Sequence, residues 1–248
     1  MIHLYDIAID NKFKNFLSRK GKLKFIEGDE GDTDEILSKD ETISNKIEAY
    51  SKSAPEDADA MTEMIIKTWQ DFSTEKTLDF SIGKNPPTLT EICASTGNNT
   101  LSFAKYNFFS KITAYEINEV RFEKLAKRTK NFPIISVLNE AYDYKKVIDS
   151  EIAFFDVPWG GEKVYKLKNL IFGFGGVKKN NFIYEPSIGQ LTKIILDNNE
   201  RLKLVVHKLP IRYSEYDAQY WLSSKKYKHE SMPIAKGTKL LIAMKYNE

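Results

Sequence analysis

Thr88-Leu89-Thr90-Glu91-Ile92-Cys93-Ala94-Ser95-Thr96-Gly97-Asn98-Asn99-Thr100 runs from apolar and β-branched residues into small and polar ones, and a helical pattern follows it to Phe109. The change of period predicts a strand over 89–93, a tight turn and a helix over 99–109. Small residues in such a turn let backbone N–H groups at a helix N-terminus come close to a ligand. About twenty residues on, Ile112-Thr113-Ala114-Tyr115-Glu116 predicts a second strand tipped by an acid, and a carboxylate there can grip the two hydroxyls of a ribose. No phosphate-binding lysine follows the turn, and the full G-x-G-x-x-G spacing is missing. A cofactor with ribose and adenine but no pyrophosphate fits these residues, and S-adenosylmethionine is such a molecule.

The same alternation extends outward. A helix is expected from Pro55, a residue allowed in a first turn, to about Phe72, with Ala58, Met61, Ile65 and Trp69 at helical spacing. Strands are expected over 134–138, 151–155 and 202–207, helices over 118–130, 187–197 and 214–223, and a closing pair of strands near 230–235 and 238–245. Strands alternating with helices imply an α/β fold, a doubly wound and mostly parallel seven-stranded sheet. Gly160 to Pro186 reads as a long loop bearing Lys163, Lys166, Lys168, Lys178 and Lys179, either a hinged basic flap or a surface loop. His207 and Trp221 are expected in the core.

A second stretch carries chemistry. Phe155-Asp156-Val157-Pro158-Trp159-Gly160-Gly161 closes an apolar run, so its polar groups emerge at the carboxyl end of a buried strand, where open α/β sheets bind ligands. Pro158 fixes its own φ and biases Val157 toward extended geometry. A nucleobase amine is a poor nucleophile because its lone pair is delocalised into the ring. Acceptors that take both N–H groups can aim that lone pair at an electrophile, and Asp156 with the Val157 or Pro158 carbonyl are the natural acceptors. Trp159 would stack on the base, more strongly if the base is cationic.

These residues resemble the trimethylguanosine synthases, a family of RNA cap guanine-N2 methyltransferases. Its first motif is similar to D-x-F-C-G-x-G-G-N-T-x-x-F-A, and Glu91 to Ala104 reads E-I-C-A-S-T-G-N-N-T-L-S-F-A. Its catalytic motif looks like [DS]-P-P-W-G-G, matched by Asp156 to Gly161, and Tyr50-Ser51-Lys52-Ser53-Ala54-Pro55-Glu56 resembles an aromatic-Ser-x-Thr-Pro-Glu segment with one extra residue. The resemblance covers about residues 50 to 248. It implies a class I methyltransferase fold, Rossmann-like, over 51–248, behind a helical N-terminal extension over 1–50. It also implies S-adenosyl-L-methionine as cofactor, held by Ser53, Glu91, Ala94, Ser95, Gly97, Asn99, Thr100, Glu116, Ile117, Glu140 and Asp156. Catalysis would fall to Asp156, Val157, Pro158 and Trp159, and substrate binding to Tyr50, Trp159, Lys208 and Arg212, the two basic residues meeting a cap's phosphates. The expected partner is 7-methylguanosine-capped RNA, with methyl transfer to N2 of the cap guanosine. Glu91 replaces the family's Asp, Ser95 and Asn98 replace glycines, and Val157 replaces a proline. Asn98 tolerates positive φ and is expected to keep the turn. An adenine-N6 or other nucleobase amino methyltransferase, and a catalytically degenerate cap- or RNA-binding subunit, stay open as alternatives.

Composition fits such a domain. A chain of 248 residues with 42% apolar residues can bury a sizeable core. Its mean hydropathy is −0.44, and no apolar run approaches membrane-spanning length. Met1 to Asp10 lacks the basic start of a secretory signal, and a single cysteine, Cys93, excludes an internal disulfide, so a reducing intracellular compartment is expected. His3, His207 and His229 form no zinc-site spacing, so no metal is expected, nor a membrane, and the chain is expected to be a monomer. Lys12 to Lys24 is basic and amphipathic, expected to be partly helical. Residues 27–41 carry eight acids against Lys39, a local charge of −7 within a chain of +2, leaving +9 elsewhere. That asymmetry suits a polyanionic partner, with the acidic stretch as a mobile loop.

Overall fold

The structure, a computed structural model, describes residues 53–74, 85–143, 146–157, 186–235 and 237–246, together with the backbone of 24–26, 170–172, 178–179 and 182–183. In chain order the elements are β1 (Lys24–Ile26), α1 (Pro55–Thr74), β2 (Thr88–Ile92), α2 (Asn98–Lys105), β3 (Lys111–Tyr115), α3 (Glu119–Thr129), β4 (Ile135–Leu138) and β5 (Ile152–Phe155). They continue through β6 (Leu170–Phe172), β7 (Lys178–Lys179), β8 (Phe182–Ile183), α4 (Ile188–Asn198), β9 (Leu204–Pro210), α5 (Tyr216–Trp221), β10 (Tyr227–Ala235) and β11 (Thr238–Lys245).

Seven strands form one sheet in the order β10-β11-β9-β5-β2-β3-β4. Pairing is parallel from β4 through β3, β2 and β5 to β9, whereas β11 runs antiparallel to both β9 and β10. This is the mostly parallel, doubly wound class I methyltransferase topology expected from the alternation, closed by the expected hairpin. Strand order reverses between β2 and β5, so the ligand crevice of such a sheet lies at the carboxyl ends of those two strands.

Each face of the sheet has its own core. Leu89, Ile152, Phe154, Leu204 and Val206 pack with Ala58, Met61, Ile65, Trp69 and Phe72 of α1 and with Phe103 of α2. Ile92, Ala153, Phe155, Val205 and Leu209 pack with Ile188, Leu191 and Ile195 of α4 on the other face. Alternate residues of one strand feed opposite layers, which is why β5 is buried at all four positions. The apolar stripe of α1 is buried as its spacing predicts.

Several elements differ from expectation. The helix after the first turn stops at Lys105 rather than Phe109, because Asn107 adopts φ 51, the left-handed conformation that ends helices. The stretch read as a loop after residue 160 contains β6, β7 and β8, and β1 pairs parallel with β6, so Lys24 is extended rather than helical. Trp221 is half-buried at the end of α5 and not in the core. The rest of the N-terminal extension, with the acidic stretch, and the remainder of 160–185 lie outside the described residues.

Candidate functional site

At the end of β2 the chain turns through two non-glycine residues in the left-handed region, Cys93 at φ 64 and Ser95 at φ 52, and then through Gly97 at φ 87. At Gly97 a Cβ would stand 2.5 Å from Leu125 Cδ1 of α3, so Leu125 would have to shift, and the positive φ strains any larger residue. Ala94 N–H donates to the Tyr115 carbonyl at 2.8 Å, tying the turn to the end of β3. Asn98, expected to hold the turn by a positive φ, instead opens α2, and its amide donates to the Ser53 carbonyl at 2.7 Å. Gly97 supplies the positive φ that the turn needs.

Glu91 is fully buried on β2. Its Oε2 accepts from the Thr100 hydroxyl at 2.5 Å, while Oε1 has no hydrogen-bond partner. Burial pushes its carboxyl up to about 8, the Thr100 hydroxyl opposes that rise, and the charge of Asp156 adds to it. Ser95 Oγ and Asn99 Oδ1 are likewise buried without a hydrogen bond. Buried polar atoms are nearly always paired, so these three orphans, one each on β2, in the turn and at the start of α2, are exceptions gathered around one strand end. Cys93 beside them is held neutral by burial, with Glu116 and Asp156 acting in the same direction.

The acid after β3 behaves otherwise. Glu116 accepts from Ser95 N–H and Asn118 N–H, both at 2.8 Å, and pairs with Arg121 of α3 at 3.4 Å. Its carboxylate braces the turn through the Ser95 and Asn118 backbones. Ile117 next to it is 41% exposed, an apolar face open at the sheet edge. Glu140 stands on the surface with Lys146 Nζ at 4.0 Å, away from the buried groups, while Asn139 donates to the Glu116 carbonyl at 3.0 Å.

Asp156 follows β5, and its N–H reaches the Ile92 carbonyl at 3.2 Å, so it sits beside the first turn at the strand-order reversal. Its Oδ2 accepts from Asn99 Nδ2 at 3.0 Å, Lys208 Nζ at 2.9 Å and Ser53 Oγ at 3.4 Å. Val157 packs against the α4 side of the core. Pro158, Trp159 and Tyr50 lie outside the described residues.

Lys208 is not the exposed phosphate contact expected of it. Its side chain is 9% exposed, and it donates to Ser53 Oγ at 2.8 Å as well as to Asp156. Arg212 is exposed, in the turn after β9. His207 is in the core as expected, stacked on Phe155 with centroids 4.8 Å apart, its Nε2 at 2.8 Å from the Thr192 hydroxyl. It is only half satisfied, because Nδ1 has no hydrogen bond, and burial holds its ring down to about 3.

The residues that sequence reading missed are the partners: Lys208 for Asp156, Arg121 for Glu116 and Asn98 for Ser53. A lysine inside the wholly buried run Leu204–Pro210 was a signal for the first, since buried lysines are almost always paired. Among the described residues no cluster of His, Cys, Asp and Glu could hold a metal ion, and no helix is long and apolar enough to cross a membrane.

No family model matches the chain. An uncharacterized protein of Acanthamoeba polyphaga mimivirus is 31% identical over 169 residues, which is 64% of this chain, and the chain spans 58% of that relative's length. Among solved structures, a human methyltransferase 10 domain containing protein matches 75% of this chain and 82% of its own at 10% identity, with a TM-score of 0.50. A magnesium protoporphyrin IX methyltransferase from Synechocystis PCC 6803 with bound SAM covers 76% of this chain and 80% of its own at 5% identity, with a TM-score of 0.48. Sheet order and likeness together define the class: this is a class I methyltransferase fold.

Proposed function

We propose that the protein transfers a methyl group from S-adenosylmethionine to an exocyclic amine of an RNA nucleobase, and that the acceptor is N2 of an N7-methylguanosine cap. The observation that carries this reading is Asp156, a carboxylate at the strand-order reversal, hydrogen-bonded to Asn99 at the start of α2. The orphaned Glu91 Oε1, Ser95 Oγ and Asn99 Oδ1 support a polar ligand such as this cofactor beside it. Glu91, Ala94, Ser95, Gly97, Asn99 and Thr100 would hold the methionine end and Ile117 the adenine. Ser53 would brace the site through Asp156, and Glu116 would act through the Ser95 backbone rather than on the ribose. When bound, S-adenosylmethionine supplies an electrophilic methyl on a sulfonium. Asp156 accepts one amine N–H and a carbonyl of Val157 or Pro158 the other, which aims the nitrogen lone pair. No strong base is needed: as the N–C bond forms, the sulfonium C–S bond would break with its electron pair staying on a neutral thioether, and the acidified amine proton would pass to Asp156 or to water. Trp159 and Tyr50 would stack on the base, a role resting on the sequence motif.

Methylation assays with labelled cofactor on an N7-methylated cap dinucleotide, its unmethylated form and adenine-containing RNA test the reading. Transfer to the N7-methylated cap, lost in Asp156→Asn by about a hundredfold or more with cofactor affinity retained, is expected. Transfer to adenine alone would move the acceptor to N6. A second reading, an RNA-binding subunit without catalysis, draws on the inward commitment of Glu116 to Ser95, Asn118 and Arg121. Absence of heat on titrating S-adenosylmethionine would favour it.

A further inference from the structure

Lys208 is the fifth residue of a strand buried at every position, so its ammonium has left water, a cost only close partners offset. Those partners converge on one place. Lys208 reaches Asp156 Oδ2 at 2.9 Å and Ser53 Oγ at 2.8 Å, Ser53 itself reaches Oδ2 at 3.4 Å, and Asn99 approaches the same oxygen at 3.0 Å. Among the described residues every donor to this carboxylate goes to Oδ2 and none to Oδ1. One oxygen is therefore fully engaged from three elements, the segment before α1, the start of α2 and β9. The other accepts from no described residue, on a side chain that is 11% exposed.

We propose that Lys208 is the positioning residue of the methyl-transfer site: it anchors Asp156 through Oδ2 so that Oδ1 is the atom that accepts from the substrate amine. The inference rests on the reading of Asp156 as amine acceptor. A carboxylate in a turn has free side-chain torsions, and a charge-assisted hydrogen bond from a buried ammonium removes that freedom. The pair also carries no net charge, so the amine meets an oriented acceptor and not an uncompensated anion.

The test combines kinetics with a structure. Lys208→Ala should lower kcat about a hundredfold, the loss that a misaimed reacting group produces, while KM for the methyl donor stays unchanged. Added ethylammonium should restore part of the loss and tetramethylammonium, which has no N–H, should not. Equal rescue by both, or a KM rise with kcat intact, would overturn the proposal. Lys208→Gln, which keeps a donor of shorter reach, should fall between wild type and Lys208→Ala, and serves if the alanine variant does not fold. Crystal structures of wild type and either variant decide the point without activity. A carboxylate rotated away from Asn99 in the variant supports the anchor, and one that has not moved sinks it. Wild-type protein inactive on every nucleobase amine would remove the proposed function and still leave that structural comparison to judge Lys208.

Discussion

Glu91 is fully buried, with the Thr100 hydroxyl and the Asn99 side chain partly offsetting the loss of water, and its protonation should be visible in stability. Unfolded, its carboxyl titrates near the ordinary 4.5, and folded it is raised to about 8. Between those values the folded chain keeps a proton that the unfolded chain has released, so this group's contribution to stability declines as pH rises through the window. Glu91→Gln keeps the shape and removes the titration. In urea unfolding the variant should gain on wild type by on the order of 1.4 kcal/mol for each pH unit crossed between about pH 5 and 8, and parallel profiles would show Glu91 ionised in the folded state. Glu91 was legible as a site residue through the motif resemblance, where it stands at the family's Asp. Its protonation was not, because that depends on how completely α2 and β5 cover it.

At the scale of elements, the start of α4 is tied down by buried side chains from two other segments. Ser187 caps it by accepting from Gln190 N–H at 3.2 Å, and donates to Asp217 Oδ1 at 2.5 Å. Asp217 Oδ2 accepts from Gly189 N–H at 2.9 Å and from Tyr213 Oη at 2.8 Å. Gly189 permits the approach, since a Cβ there would stand 2.7 Å from the Asp217 carbonyl oxygen. Asp217→Ala strands three buried donors and should cost about 3 kcal/mol, read as a lower urea midpoint at unchanged slope. A loss under about 0.5 kcal/mol would mean that water replaces the carboxylate. The helix expected over 187–197 is α4, displaced by one residue at each end. Nothing local predicted Asp217, thirty residues on, as the group that holds it.

For the whole molecule, the acidic stretch 27–41 at −7 stands against +9 elsewhere. If RNA is the partner, removing those residues should tighten binding of a single-stranded RNA at low salt and steepen the fall of affinity with salt. Fluorescence anisotropy over a salt series measures both, and an unchanged slope would take the segment out of the interface. By itself the sequence determined the alternation of elements, the seven-stranded sheet, the small-residue turn and the acids at the strand ends, because each is a short-range pattern of period, size or charge. Only the tertiary structure decided which of those acids remain open to a ligand. Lys208 meets Asp156 across 52 residues and Ser53 across 155, and these contacts exist only because β9 lies beside β5 and α1 packs over both. Strand order is a global outcome of packing, so the partner of a buried charge cannot be read from its neighbours in the chain.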